Sequence, residues 1–266
     1  MTSSDFDLTL VLPNPVIEKE QKVSILQQIK PLILSQGYKV EDRLSARTPV
    51  LKCTHGNIEL DLSVGNLVAV CNSELLNTYA ELDERVRALG ILLKHWAKKR
   101  QIADASVGYL SSYSYIILLI AFLQRTNPPL LPNLQANYYN CDRDLVEGHN
   151  CSFDRNVQRY EQMTRDNRLG LAELLIGFFR YYGYEFPWET ACVSIRLPGG
   201  LTKAEKRWTT RLAIEDPFEL DRNLGDVAYK SQAILDEFKW AAYILCSGND
   251  FESACSFGQP AERQSA

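Results

Sequence analysis

A chain of 266 residues, 45% hydrophobic and 23% charged, has the make-up of a soluble globular protein and can bury a sizeable core, as one large domain or two modest ones. Its net charge of −4 and pI of about 5.5 argue against gripping long nucleic acid through an overall basic excess, so any polynucleotide contact must be local. Seven cysteines, odd in number and without a C-x-x-C pair, argue for reduced intracellular thiols and against a structural zinc site. The longest apolar run, Tyr115 to Leu123, stops short of the ~20 residues needed to cross a bilayer, and MTSSDFD has neither the basic nor the apolar region of a secretion signal.

The chain opens with FDLTLVLP, a predicted strand stopped by Pro13 and Pro15. In it Asp5, Asp7 and Thr9 share one face, and Phe6, Leu8 and Leu10 the other. Two like charges on one strand face mean either a solvated sheet surface or a place where a cation sits between the oxygens. Val23, Leu26, Ile29, Leu32 and Ile33 then follow helical spacing, with Gly37 as the stop. YKVEDRL predicts a strand, and VLKCTHGNIELDLSVG a hairpin turning at His55-Gly56-Asn57. Its second arm sets Leu60, Leu62 and Val64 against Glu59, Asp61 and Ser63, so a third strand carboxylate can lie beside the first pair.

From Tyr79 the period becomes helical, with Leu82, Val86, Leu89, Leu93 and Trp96 on one stripe and Lys94 and Lys98 projecting together. GYLSSYSYIILLIAFLQ predicts a second helix ended by Asn127-Pro128-Pro129, and residues 133 to 166 an irregular excursion. LGLAELLIGFFRYYGYEF reads as a helix, ACVSIRL as a strand, RLAIEDPFEL as an extended piece turned at Pro217, and DVAYKSQAILDEFKWAAYIL as the closing helix. The tail after Ser247 is expected to be disordered. The basic clusters KHWAKKRQ and TKAEKRW read, by themselves, as solvated faces.

The stretches S-D-F-D-L, E-L-D-L, LLKHWAKKRQI, G-Y-L-S-S-Y-S-Y, PPLLPNLQ, LTKAEKRW and IEDPFELDRNLG, in that order, resemble the non-canonical poly(A) polymerases and terminal uridylyltransferases of the polymerase-β-like nucleotidyltransferase superfamily. The resemblance implies an α+β fold: a small mixed-sheet catalytic lobe over 1–78, a mostly helical lobe over 79–250 with substrate in the cleft between them, and a disordered tail over 251–266. It implies template-independent addition of UMP or AMP to RNA 3′ ends, with Asp5, Asp7 and Asp61 holding Mg²⁺ or Mn²⁺ and Asp61 placed to take the hydroxyl proton. Glu59, on the same face as Asp61, is expected to be a solvated neighbour.

In the same pattern Lys94, Lys98 and Ser112 meet the triphosphate, Tyr113 stacks on the base, Asn72 reads the ribose hydroxyls and Asn66 lies near the nucleotide. Asp216 and Glu219 match acceptors for a pyrimidine edge. Arg222 stands where uridylyltransferases often carry histidine; it can meet uracil carbonyls or turn outward and leave room for adenine, so UTP and ATP both remain open, with the frame around it in the uridylyltransferase form. The Gly-Ser turn that the family carries before the S-D-x-D strand is not matched here, and Ser3 and Ser4 are poor substitutes for it, through either a shortened chain or degeneration. The rival reading is therefore a catalytically impaired nucleotide- or RNA-binding relative. A monomer in the cytoplasm, or alternatively the nucleus, is expected, with RNA recognition either supplied by a partner protein or unspecific, and no membrane attachment.

Overall fold

The computed structural model describes residues 4–13, 18–138 and 144–256, the side chains of Ser4 and Asp5 excepted. Two compact units emerge, Met1–Ser73 with Arg143–Cys151, and Glu74–Asp142 with Ser152–Ala266. Among the described residues no helix is long and apolar enough to cross a membrane.

The first unit is a four-stranded mixed sheet in the order β1(Ser4–Leu10), β4(Ile58–Val64), β3(Val50–His55), β2(Lys39–Arg43), with α1(Lys19–Ser35) on one face. Its alternation is the one the sequence predicts. Leu26 of α1 meets Leu51, Cys53 and Val64 in a buried cluster, with Leu60 and Leu62 packed beside them. Gly37 adopts φ +82° behind α1 and donates to the Leu34 carbonyl, and Gly56 at φ +57° turns the β3–β4 hairpin. A small hairpin, β5(Leu145–Val146) and β6(His149–Asn150), joins this unit through Lys22, whose ammonium donates to the Gly65 carbonyl at 2.9 Å and pairs with Glu147 at 3.4 Å. On β1 the apolar row Phe6, Leu8 and Leu10 remains 52%, 49% and 37% exposed although it continues the face that α1 covers further along.

Between the sheet and the expected helix at Tyr79 the chain is already helical. α2(Leu67–Leu82) begins twelve residues earlier than its periodicity suggests, and the division between the two units falls inside it, at 73/74. What reads as one amphipathic helix is broken at Asp83, an extended residue whose carboxylate accepts from Arg85 N–H and caps α3(Glu84–Lys99).

The second unit packs α3, α4(Ser112–Leu123), α6(Leu171–Arg180) and α8(Ser231–Cys246) around an aromatic core. Trp96 stacks on Phe238 at 5.6 Å and meets Phe179 edge-on at 4.7 Å; Phe178 and Tyr182 complete the cluster. A π-turn at Tyr181–Glu185 brings the backbone close to α8, and a Cβ on Gly183 would sit 3.2 Å from Lys239 Cα. Among its described residues the excursion at 133 to 166 holds only short pieces, including α5(Glu161–Asp166). ACVSIRL is not a strand: Ala191 and Val193 make isolated bridges to Thr202 and Ile214. Beyond it lies α7(Lys203–Lys206), capped by Thr202. The expected disorder from residue 251 is also not what the structure holds, since Asp250 caps α9(Phe251–Cys255) and buries Ala254 and Cys255; residues 257–266 lie outside the described part.

Candidate functional site

In the first unit the decisive feature is strand register. β1 and β4 are parallel, with Asp7 opposite Asp61, Asp5 opposite Glu59 and Thr9 opposite Ser63. Register partners on neighbouring strands share a face, so Asp7 and Asp61 stand side by side on the face away from α1. Asp7 is exposed and Asp61 half-buried. The side chain of Asp5 lies outside the described part, so the three-carboxylate cluster is not assembled among the described residues, where no group of three metal-ligating side chains is found. Lys52 of β3 is the next residue across the sheet from Asp61 and makes a long 3.9 Å pair with Glu59, which is partly exposed as expected.

Thr9, a residue that sequence reasoning noted without assigning a task, accepts a hydrogen bond from the Asn66 backbone N–H at 3.0 Å. It thereby anchors the chain entering α2 to the carboxylate face of β1. Asn72, one turn into α2, is buried, and its Oδ1 has no hydrogen-bond partner among the described residues. An orphaned buried carbonyl oxygen is costly and fits a ligand hydroxyl as its missing donor.

In the second unit Lys94 and Lys98 project together from the exposed side of α3, as their spacing predicts. At the start of α4 the cap is Ser111, whose hydroxyl accepts from Ser114 N–H at 3.2 Å, which leaves Ser112 out of the capping role. Tyr113 follows, half-buried, its hydroxyl enclosed and without a hydrogen-bond partner among the described residues. Burial, and then the nearby Asp216 carboxylate, push that phenol well above its usual range, so it stays protonated.

The same phenol faces the turn Asp216–Arg222. Asp216 Oδ1 accepts from the backbone N–H of Phe218 and Glu219, both at 3.1 Å, and Arg222 Nη1 meets Glu219 at 2.6 Å and Asp216 at 3.5 Å. Arg222 is therefore folded onto both carboxylates. Burial raises the Asp216 pKa despite these contacts.

Sequence reasoning missed Glu215. It is 1% exposed and accepts from Ser194, Arg196 and Lys206 at 2.7, 2.8 and 2.7 Å. A charged residue inside the apolar run AIEDPF was the available signal. The TKAEKRW cluster is likewise not a solvated face, because Lys203 is buried on the Arg211 carbonyl and Lys206 is turned inward. Nor is the end of KHWAKKRQ, where Arg100 is buried against Glu237. Burial pushes the thiols of Cys192 and Cys255 up to about 12 and about 11, which removes them as nucleophiles near neutral pH.

Two family profiles match: Cid1 family poly(A) polymerase over residues 170–222, and the central palm domain of mitochondrial-like poly(A) RNA polymerase over 1–81. Terminal uridylyltransferase cid1 of Schizosaccharomyces pombe is 32% identical over 93% of this chain and 66% of its own length. A crystal structure of the Cid1 poly(U) polymerase with Mg and 3′-dATP superposes with a TM-score of 0.79 at 32% identity, over 98% of this chain and 80% of that one. The chain belongs to the Cid1 family of poly(A) polymerases and terminal uridylyltransferases. Within the Cid1 family both nucleotide preferences occur among its relatives, since poly(A) RNA polymerase cid11 of S. pombe is 34% identical over 86% of this chain. The chain spans 66% of cid1 and 48% of cid11.

Proposed function

We propose that this protein adds nucleotides without a template to RNA 3′ ends, with UTP as its preferred substrate. The observation that carries the reading is the parallel β1–β4 register, which sets Asp7 beside Asp61 on the sheet face away from α1. Two carboxylates one strand apart repel each other unless a cation joins them, and their all-oxygen donor set fits a hard divalent ion such as Mg²⁺ or Mn²⁺. Asp7 and Asp61, with Asp5, would hold it. Bound there, the ions supply neutralisation of the charge that builds on the attacking oxygen, the phosphoryl group and the leaving pyrophosphate.

The chain's own residues carry the remaining work. Asp61 takes the proton of the attacking 3′-hydroxyl. Lys94 and Lys98 neutralise the triphosphate, and Ser112 donates to it at the positive end of α4. Asn72 Oδ1 accepts from a ribose hydroxyl, which favours ribonucleotides, and Asn66 supports the sugar from the start of α2. Tyr113 offers its ring to the base.

Preference for UTP rests on Arg222. With Asp216 and Glu219 engaged by its guanidinium, that edge presents N–H donors, which suit the O4 and O2 acceptors of uracil better than the amino groups of adenine or cytosine. A second reading, nucleotide binding without turnover, is favoured by the exposed row Phe6, Leu8 and Leu10, which leaves β1 with thin support.

Incubating the folded protein with a labelled oligoribonucleotide, Mg²⁺ and each NTP in separate lanes tests the proposal. Extension with UTP ahead of ATP, abolished by Asp7→Ala and by Asp61→Ala, is expected. No extension in any lane, with UTP binding unaffected by either substitution, would establish the second reading instead.

A further inference from the structure

The TKAEKRW segment has no part in the roles above, yet one of its lysines is built into the turn that faces Tyr113. Lys206 Nζ pairs with Glu215 Oε1 at 2.7 Å and donates to the Leu220 carbonyl at 2.5 Å, and it lies 5.0 Å from the centre of the Trp208 ring. Only 14% of the side chain is exposed. A lysine held so far from water gives up hydration and rotamer freedom, which a lysine at the end of a short surface helix such as α7 would not be expected to do without a partner.

What it holds is the free side of the turn. The neck is closed by Asp216 N–H to the Arg222 carbonyl at 3.1 Å and by the Glu215–Asn223 bridge. The Pro217–Phe218 side is fixed by Gln135, which donates to the Pro217 carbonyl at 2.9 Å, and by Phe153 against Phe218. Lys206 supplies the tie at Leu220, one residue from Glu219 and two from Arg222. Glu215 in turn is held from beneath by Arg196 and Ser194. Its carboxylate thus connects the core of the unit, through one ammonium, to the residue beside Glu219.

We propose that Lys206 is a positioning residue for base discrimination: by clamping the Leu220 carbonyl to the buried Glu215 carboxylate it fixes Glu219, and through Glu219 the Arg222 guanidinium that meets the base. The proposal rests on the reading of Asp216, Glu219 and Arg222 as the base-facing group. Loss of the clamp releases the Leu220 side of the turn while the neck, the Arg196–Glu215 pair and the triphosphate residues stay in place.

The test compares the unmodified protein with Lys206→Gln, Lys206→Met, Lys206→Arg and Glu219→Ala variants. Equilibrium binding of UTP, ATP and inorganic tripolyphosphate is measured for each, alongside the thermal midpoint. The expected result is a UTP-to-ATP affinity ratio that falls at least tenfold toward unity in Lys206→Gln and Lys206→Met and is largely restored in Lys206→Arg. Tripolyphosphate affinity should stay within twofold throughout. A lowered midpoint with an unchanged ratio in the Gln and Met variants would reduce Lys206 to a structural role and overturn the proposal. If Glu219→Ala moves the ratio and Lys206→Gln does not, the clamp alone fails. If neither moves it, or the unmodified protein does not discriminate, the base-facing assignment fails and the clamp with it.

Discussion

Arg100 offers the sharpest test of how the helical unit is held together. Its side chain is 0% exposed, and its guanidinium meets Glu237 of α8 through Nε at 2.6 Å and Nη2 at 2.8 Å while also donating to the Ser256 carbonyl. A two-pronged pair of this kind exchanges two hydration shells for two charge-assisted hydrogen bonds, so its net worth is small, but removing one member strands the other. Glu237→Ala is therefore expected to cost about 3–5 kcal/mol. For a unit of this size that lowers Tm by roughly 6–20 °C. The double variant Arg100→Met/Glu237→Leu, which fills the space with apolar groups, should recover most of that loss and lie within about 1 kcal/mol of the parent. Thermal and urea unfolding followed at the Trp96 cluster measures both. A drop below about 2 °C for Glu237→Ala, or a double variant that shows the sum of the single losses, would refute the reasoning.

Three further outcomes follow from the same structure. Leu26→Ala, which empties a position fully buried between α1 and the sheet, should destabilise the first unit by about 2–5 kcal/mol in chemical denaturation and leave the Trp96 signal of the second unit in place. Asp216 has a folded pKa raised by burial, so its charged form opposes folding: its contribution is most favourable below the unfolded value of 3.8 and declines as pH rises through the folded pKa. Asp216→Asn should accordingly raise Tm at pH 7, with the gain disappearing in acid, and a lower Tm at pH 7 would count against the burial argument. Leu8→Thr on the exposed row of β1 should change stability by less than about 0.5 kcal/mol while reducing self-association in light scattering, because the leucine gains little from folding where it stands.

The strands of the first unit were legible because a sheet with one apolar face imposes strict alternation, and Asp5, Asp7, Glu59 and Asp61 stood out against it. Their pairing was not legible: which strand neighbours β1, and in which register, depends on the crossover through α1 and the hairpin. α2 escaped because LVAVCNSELLNTYAEL has no clean apolar stripe, and its buried residues include polar Asn72 and Thr78. The break at Asp83 hid inside a continuing hydrophobic period, since a capping carboxylate in A-E-L-D-E-R-V resembles any other exposed acid. ACVSIRL looks like a strand because it is β-branched and apolar, but Ser194 and Arg196 spend their side chains on Glu215 and the ladder never extends beyond single bridges. For the turn at 216–222, IEDPFELDRN gave Asp216, Glu219 and Arg222 by resemblance, whereas Glu215 and Lys206 require knowing which charges point inward.

The alignment of β1 on β4 has one more corollary. Because side chains alternate with a period of two, sliding β1 by a single residue would carry Phe6 or Leu8 opposite Asp61 and turn Leu10 out of line with Val64, so the apolar packing and the acidic pair would fail in one stroke. A slide of two residues would instead leave the greasy side intact and bring Asp5 opposite Asp61 or Asp7 opposite Glu59. The spacing of the acids thus ties the pairing to parity: an odd-numbered shift of one strand against the other sets an apolar side chain opposite Asp61, and only an even-numbered one keeps carboxylates facing one another.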